Sequence, residues 1–482
     1  MKKIIALALS LLMLLAVLTS CGSDENTQST GDGVNTSDIP DDGLPAVDMG
    51  GFELGILTHD TEWFTWAEIT MAVDNYDANR ISSEIYKRNL SIEERFKCYL
   101  NIDSQAGIDK NYIENLSLSG DSSSGAHVIM YYDKWVVGAA AYFRDWNAVD
   151  YIDLSQDYWN PGITQMFDIN GKQIALSGVF SLGMLSRTET VIFDKQMYAN
   201  YAAVDPTMYD SMYEYVTKDE WTLETLYQIA AKAVHSDDET WDEQDSYGIS
   251  ASKKELYTSL MIGSGIRFVQ KDQNGKPTFT TGTDASAVDK LQKLLQLNQN
   301  NDIHYDKSTN AHYPDPELFF ENGHTLFAIR ALFDIPKARQ MMESEFGILP
   351  LPKYDTDQTE YYSACFGGDV ACLLNTVSEN DLDNIGIIME AMAYHSNENL
   401  VPTYKVDLLQ TRYASDLDSY AMLDIIFETT YCDMGITVLE DTVSFYLIKQ
   451  IYVPEKDVIS SELQTLNMIM PATLDNMFKA IE

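Results

Sequence analysis

Cys21 is the first residue in the chain placed to do covalent chemistry. It follows Leu18, Thr19 and Ser20, behind an apolar run over 4–17 and the paired Lys2 and Lys3. A small residue directly before a cysteine, after a short charged and then apolar start, is a lipobox: the thiol is acylated and the cysteine becomes the new N-terminus. The apolar run holds 14 residues. A bilayer-crossing helix needs about 20, so 1–20 read as a signal peptide that is cut away. Residues 21–50 carry no aromatic side chain and no Lys or Arg, and with so little apolar surface to bury they read as a flexible tether. The expected location is the extracytoplasmic face of the cell membrane, with lipid as the anchor.

Other residues are suited to holding a ligand. Flat aromatic rings set among carboxylates and guanidinium groups fit a molecule with apolar C–H faces and a ring of hydroxyls, as sugars have. Three sets bring such groups together: Glu62, Trp63 and Trp66; Tyr131, Tyr132 and Asp133; and Arg187 with Arg330. Gly367, Gly368 and Asp369 add small residues that let backbone approach a ligand. Each set also has a plain structural reading: tryptophans capping a core, arginines in an ion pair between lobes, glycines at a strand entry.

Reactive centres are not marked in the same way. The sequence lacks GxSxG, HExxH and Walker A patterns, so no catalytic residues are assigned, and no cofactor is expected. Seventy-four acidic residues keep one rival open, a lipid-anchored glycan-active enzyme with paired carboxylates. The acidic cluster of Asp237, Asp238, Glu239, Asp242, Glu243 and Asp245 lacks EF-hand spacing and reads as a solvated face, with a Ca²⁺ site as the alternative. His304 and His312 read as surface positions. The net charge is −42, and removing residues 1–20, with two Lys and no acids, takes it to −44. Such a field repels phosphate backbones and anionic headgroups, so nucleic acid is not an expected partner. Cys98, Cys365, Cys372 and Cys432 have no CxxC pairing; they read as buried free thiols, with one disulfide as the alternative.

The elements that must position these residues alternate between strand and helix patterns, which gives an α/β class. Residues 52–58 and 128–132 read as strands, with a helix over 77–96 between them carrying Ile81, Ile85, Ile92 and Phe96 on one face. Residues 173–179 and 190–193 look extended. Thr222 caps a helix with Leu223, Leu226, Ile229, Ala230 and Ala233 on one side. Residues 268–281 form a hairpin pattern around Asp272–Gln273–Asn274–Gly275. A helix capped by Asp284, strands over 325–329 and 346–349, and a helix opened by Ser378 and Asp381 follow.

Three segments then carry a resemblance. DEWTLETLYQIAAKAV at 219–234 followed by YGI at 247–249, FFENGHTLFAIR at 319–330 and FGILPLPK at 346–353 resemble, in order and spacing, the family 1 extracellular solute-binding proteins, the maltose-binding type. His324 and Leu326 replace the Lys or Arg and the Ala commoner in that family. The resemblance covers roughly 52–481. It implies a periplasmic-binding-protein-like type II fold: two lobes, a hinge and an interlobe ligand cleft, with crossings near Gly178, Thr325 and Ser396. The lobes would be built from 51–178, 179–325, 326–396 and 397–482, the first and third in lobe 1 and the second and fourth in lobe 2. It also implies that Glu62, Trp63 and Trp66 and the end of the Tyr131–Asp133 strand face the cleft. The function implied is capture of a mono- or oligosaccharide for delivery to an ABC transporter permease, without catalysis. Peptides and sugar phosphates are the alternative solutes.

Overall fold

The computed structural model describes residues 42–60, 71, 79–119, 125–236, 245–298, 303–305, 316–408, 417–452, 458–479 and 481. Glu62, Trp63, Trp66, Trp241, His312, Cys21 and the acidic cluster up to Glu243 lie outside them.

Nine strands form two sheets: β1 Glu53–His59, β2 Tyr99–Gln105, β3 Val128–Tyr132, β4 Glu189–Asp194, β5 Tyr247–Ser250, β6 His304–Tyr305, β7 Thr325–Ala331, β8 Phe346–Leu349 and β9 Asp369–Leu373. The first sheet runs β9-β3-β1-β2 and the second β6-β5-β7-β4-β8. In the first, β1 is parallel to β2 and β3, and β9 comes back antiparallel to β3. In the second, β5 is parallel to β6 and β7, while β4 lies antiparallel to β7 and β8. Parallel strands need helical crossovers, and helices on the faces bury both sides. β7, parallel to β5, and β4, which lies between β7 and β8 in the middle of the sheet, have every residue buried.

The helices used below are α1 Arg80–Phe96, α2 Lys110–Ser119, α3 Val136–Ala139, α4 Leu223–Ala230, α5 Lys253–Gly263, α6 Leu382–His395, α7 Leu417–Glu428 and α8 Ile459–Phe478. In α1, Ile85, Arg88, Ile92 and Phe96 are buried at helical spacing; the Asn79 side chain accepts from Ser82 N at 2.8 Å, and Lys97 ends the helix at φ 54°. Thr222 caps α4 through Thr225 N at 3.3 Å. The expected hairpin pairs Val269–Lys271 with Pro277–Phe279.

Two expected boundaries are corrected. The tether does not reach residue 50: Leu44, Val47 and Met49 pack on the core, and Met49 N donates to Phe96 O at 2.8 Å. These three apolar side chains give the segment surface to bury. The return expected near Thr325 falls inside the second sheet, because β7 and β8 both pair with β4; the chain goes back to the first sheet between Leu349 and Asp369. From Ser396 it continues to α7, whose Ser419 Oγ accepts from Ile348 N of β8 at 3.1 Å.

Trp221 is fully buried and donates from Nε1 to Pro350 O at 2.8 Å. Trp159, also buried, donates to Glu390 Oε2 at 2.9 Å. His304 is not a surface residue: it is buried, with Nε2 3.1 Å from the Tyr227 hydroxyl. The four described cysteines are free and buried.

Candidate functional site

The site is built where β3 ends beside the start of β9. Side chains alternate across a strand, so Tyr131 points into the core, fully buried, while Tyr132 faces the other way and stays half-buried. Register places Tyr132 opposite Asp369, and Asp133 N donates to Gly368 O at 2.9 Å. The Asp133 carboxylate accepts from Lys134 N at 2.7 Å and from Gly367 N at 3.0 Å. One buried carboxylate thus ties the turn after β3 to the loop before β9.

That loop must pass close to its neighbours. Gly367 has φ +82°, a left-handed conformation that favours glycine, and a Cβ there would lie 3.4 Å from the Arg187 guanidinium and 3.5 Å from the Tyr132 hydroxyl. A Cβ on Gly368 would lie 2.7 Å from Met184 Sδ. Arg187 Nε donates to Phe366 O at 3.2 Å, and its guanidinium lies 4.7 Å from the Phe333 ring centroid. Trp135 meets Tyr132 edge-on, with centroids 5.0 Å apart. Tyr132, Trp135, Phe333 and Phe366 are all half-buried, so each offers part of a ring around Arg187 and Asp369.

Burial sets the electrostatics. Asp133 is pushed up to about 6 by burial, against the pull of the Gly367 and Lys134 amides. Asp369 is held well above the ordinary carboxylate range, by burial first and then by Asp133. His59, buried with Nε2 3.9 Å from Asp369 Oδ1, is pushed down to about 4 by its burial and is neutral at pH 7. Glu189, at the start of β4, is pushed up to about 8 by burial and by Glu255. The cluster therefore offers protonated and neutral groups together with a guanidinium, and so both donates and accepts hydrogen bonds.

The two sheets meet at this place. Lys134, just beyond β3, holds Glu440 Oε2 at 2.8 Å, and Lys254, just beyond β5, contacts Oε1 of the same carboxylate. The C-terminal ends of a strand from each sheet are thus joined through one side chain, and ligands of open α/β sheets bind at such ends.

Of the residues expected from the sequence, Tyr132, Asp133, Arg187, Gly367, Gly368 and Asp369 are brought together. Tyr131 is on the opposite side of β3. Arg330 is buried in β7, where Nη1 donates to Ile329 O at 3.0 Å, and with Arg187 it acts on the charge of Glu189. Sequence reasoning missed Trp135, Phe333, Phe366 and Glu189. The signal for Trp135 was its place two residues after Asp133; for Phe333 it was an aromatic just past a fully apolar strand. A cavity of about 620 Å³ opens elsewhere, among Tyr158, Tyr361, Tyr362, Lys405 and Tyr431, and none of the expected site residues among the described ones lines it.

No protein-family model and no curated protein sequence matches the chain. Solved structures do. The cyclic α-maltosyl-1,6-maltose binding protein of Arthrobacter globiformis is 13% identical with a TM-score of 0.57, covering 89% of this chain and 100% of its own. M. tuberculosis UspC is 12% identical with a TM-score of 0.55, covering 87% of this chain and 100% of its own. Maltose-bound T. maritima MalE3 is 13% identical with a TM-score of 0.50, with the same coverage as UspC. At such identities the likeness is one of fold, and this chain has the α/β fold of maltose-binding-type, periplasmic-binding-protein-like solute-binding proteins.

Proposed function

We propose that the chain is an extracytoplasmic solute-binding lipoprotein of the family 1 type, which captures a carbohydrate between its two sheets and delivers it to an ABC transporter permease. The observation that carries this reading is the ring of half-buried aromatics, Tyr132, Trp135, Phe333 and Phe366, around Arg187 and Asp369 at the strand ends. Aromatic faces suit sugar C–H surfaces, and the mixed donors and acceptors suit hydroxyls. Two of the structural neighbours are described as a maltosyl-maltose binding protein and as maltose-bound, which supports the same class of ligand. The two sheets act as lobes that close about their connecting segments on the solute, and the reading assigns no catalytic step. Cys21 carries the lipid, and 22–43 lead from it to the fold.

A thermal-shift screen of the protein lacking residues 1–20 tests the reading, with mono-, di- and oligosaccharides beside peptides and sugar phosphates. A true ligand raises the melting temperature by linkage. A shift with one sugar class, no cleavage of it, and loss of the shift in Arg187→Ala with the unliganded melting temperature kept is the expected result. Shifts from peptides or sugar phosphates alone would replace the sugar, and release of cleavage products would replace binding by catalysis. In cells, Cys21→Ser is expected to move the protein from the membrane fraction to the medium; retention in the membrane would remove the lipid anchor from the reading.

A further inference from the structure

Each oxygen of the Glu440 carboxylate holds a different ammonium group. Oε2 accepts from Lys134 Nζ at 2.8 Å, and Oε1 contacts Lys254 Nζ. Lys134 lies in the turn Asp133–Trp135 just beyond β3, and Lys254 in the first turn of α5 just beyond β5, so the two arms come from different sheets. Surface ion pairs are worth little, but with 16% of the Glu440 side chain exposed and 26% of that of Lys134 this pair is set deeper. The two ammonium groups act on each other: Lys254 is held below the ordinary lysine value by burial first and by Lys134 second. Removing the carboxylate between them leaves two like charges close together. Apolar packing does not seal the same edge. A cavity of about 430 Å³ remains between Lys110 at the start of α2, Trp135 and Gly138 of α3 on one side and Val438 and Met477 of α8 on the other, and Lys134 lines it too. The join at this edge therefore leans on its ion pairs.

We propose that Glu440 is a latch between the lobes: holding a lysine from each sheet on its two oxygens, it keeps the cleft closed on a solute and so sets the affinity for it. It is a positioning residue and acts through Lys134 and Lys254. The latch also fixes the turn that carries part of the site. Lys134 sits between Asp133, whose carboxylate accepts from Gly367 N, and Trp135, which meets the Tyr132 ring. Asp441, 3.4 Å from Lys134 but 92% exposed, adds a solvated contact and not a second latch. The latch rests on the reading of a solute held between the two sheets, whatever the class of that solute.

The experiment is small-angle X-ray scattering of the solute-free protein lacking residues 1–20, as wild type, Glu440→Gln and Lys134→Gln/Glu440→Gln. Calorimetric titration of the same proteins with maltose, cellobiose, xylobiose and lactose follows. Glu440→Gln keeps the shape of the side chain and removes its charge. At low salt it is expected to raise the radius of gyration, and to weaken binding of the disaccharide that the wild type takes by about fivefold. Salt at about 1 M, where the screening length falls to about 3 Å, should move the wild type towards the variant. Adding Lys134→Gln removes the repulsion and should bring radius and affinity part of the way back, whereas a purely structural role for Glu440 would add a second loss. If melting shows that Glu440→Gln does not fold, Lys134→Gln alone, which leaves Glu440 on Lys254, carries the same comparison. A radius equal to that of the wild type overturns the latch, and a larger radius with unchanged affinity overturns its hold on the solute; in both cases the solute-binding reading stands. If none of these sugars binds the wild type, the carbohydrate reading falls, and the scattering still decides the latch.

Discussion

Glu189 is the residue whose chemistry can be followed most directly. It is buried at the start of β4 near Arg187, Arg330, Glu255 and Asp334, and burial together with Glu255 raises it to about 8. In the unfolded chain the same carboxyl ionises near its ordinary value, so between the two values the folded state holds a proton that the unfolded state has lost. Stability is then greatest at low pH and falls as pH rises towards 8. From pH 7 to 8, above most of the range in which His59, Asp133 and Asp433 change charge, Glu189 contributes a loss of about 1 kcal/mol. Urea unfolding across that window should show the decline in the wild type and a flatter profile in Glu189→Gln; parallel slopes would mean that another group, Asp369 being the next to consider, carries the dependence.

At the scale of elements, the first sheet depends on one close approach. Gly55 of β1 donates from its N to His127 Nδ1 at 3.0 Å and accepts from His127 N at 2.8 Å, and a Cβ on Gly55 would lie 1.7 Å from the Gly125 carbonyl oxygen. Because the obstacle is backbone, Gly55→Ala should cost about 1–3 kcal/mol, with a matching fall in the denaturation midpoint; an unchanged midpoint would mean that the 125–127 segment yields without cost. The elements legible in the sequence were those with a strong pattern of their own. Val128–Tyr132 and Phe346–Leu349 are short apolar runs, α4 has a capping Thr and a clean apolar face, and the 269–279 hairpin has its glycine turn. β2 was missed because Tyr99–Gln105 buries no residue fully and reads as polar; only its seven-residue register with β1 makes it a strand. The site was half legible for a related reason. Tyr132, Asp133 and Asp369 sit on strand ends that local pattern reveals, whereas Phe333 and Glu189 join them through pairing across the second sheet, over separations that local pattern does not encode.

Over the whole molecule, the chain visits the first sheet, builds the second and comes back, so the connecting segments and the strand ends share one region. Glu440 holds Lys134 and Lys254 there, and Arg88 of α1 donates to Phe180 O at 2.6 Å and to Ser396 Oγ at 2.9 Å, fastening the first lobe's helix to two distant parts of the chain. The four buried thiols are spread through this arrangement: Cys98 between α1 and β2, Cys365 and Cys372 on either side of Gly367–Asp369, and Cys432 after α7. Burial raises each of them, Cys98 to about 11, and only a thiolate in contact with solvent reacts with an alkylating agent. They therefore act as gauges of opening at four addresses. Tagging with iodoacetamide, read by mass spectrometry, should be slow at all four in the native protein and complete in denaturant. A bound solute should slow Cys365 and Cys372 most, because they flank the loop that the ligand would cover, and rapid native tagging of either would show that this loop opens on its own. The chain thus carries its own record of which part lets go first, without an added probe.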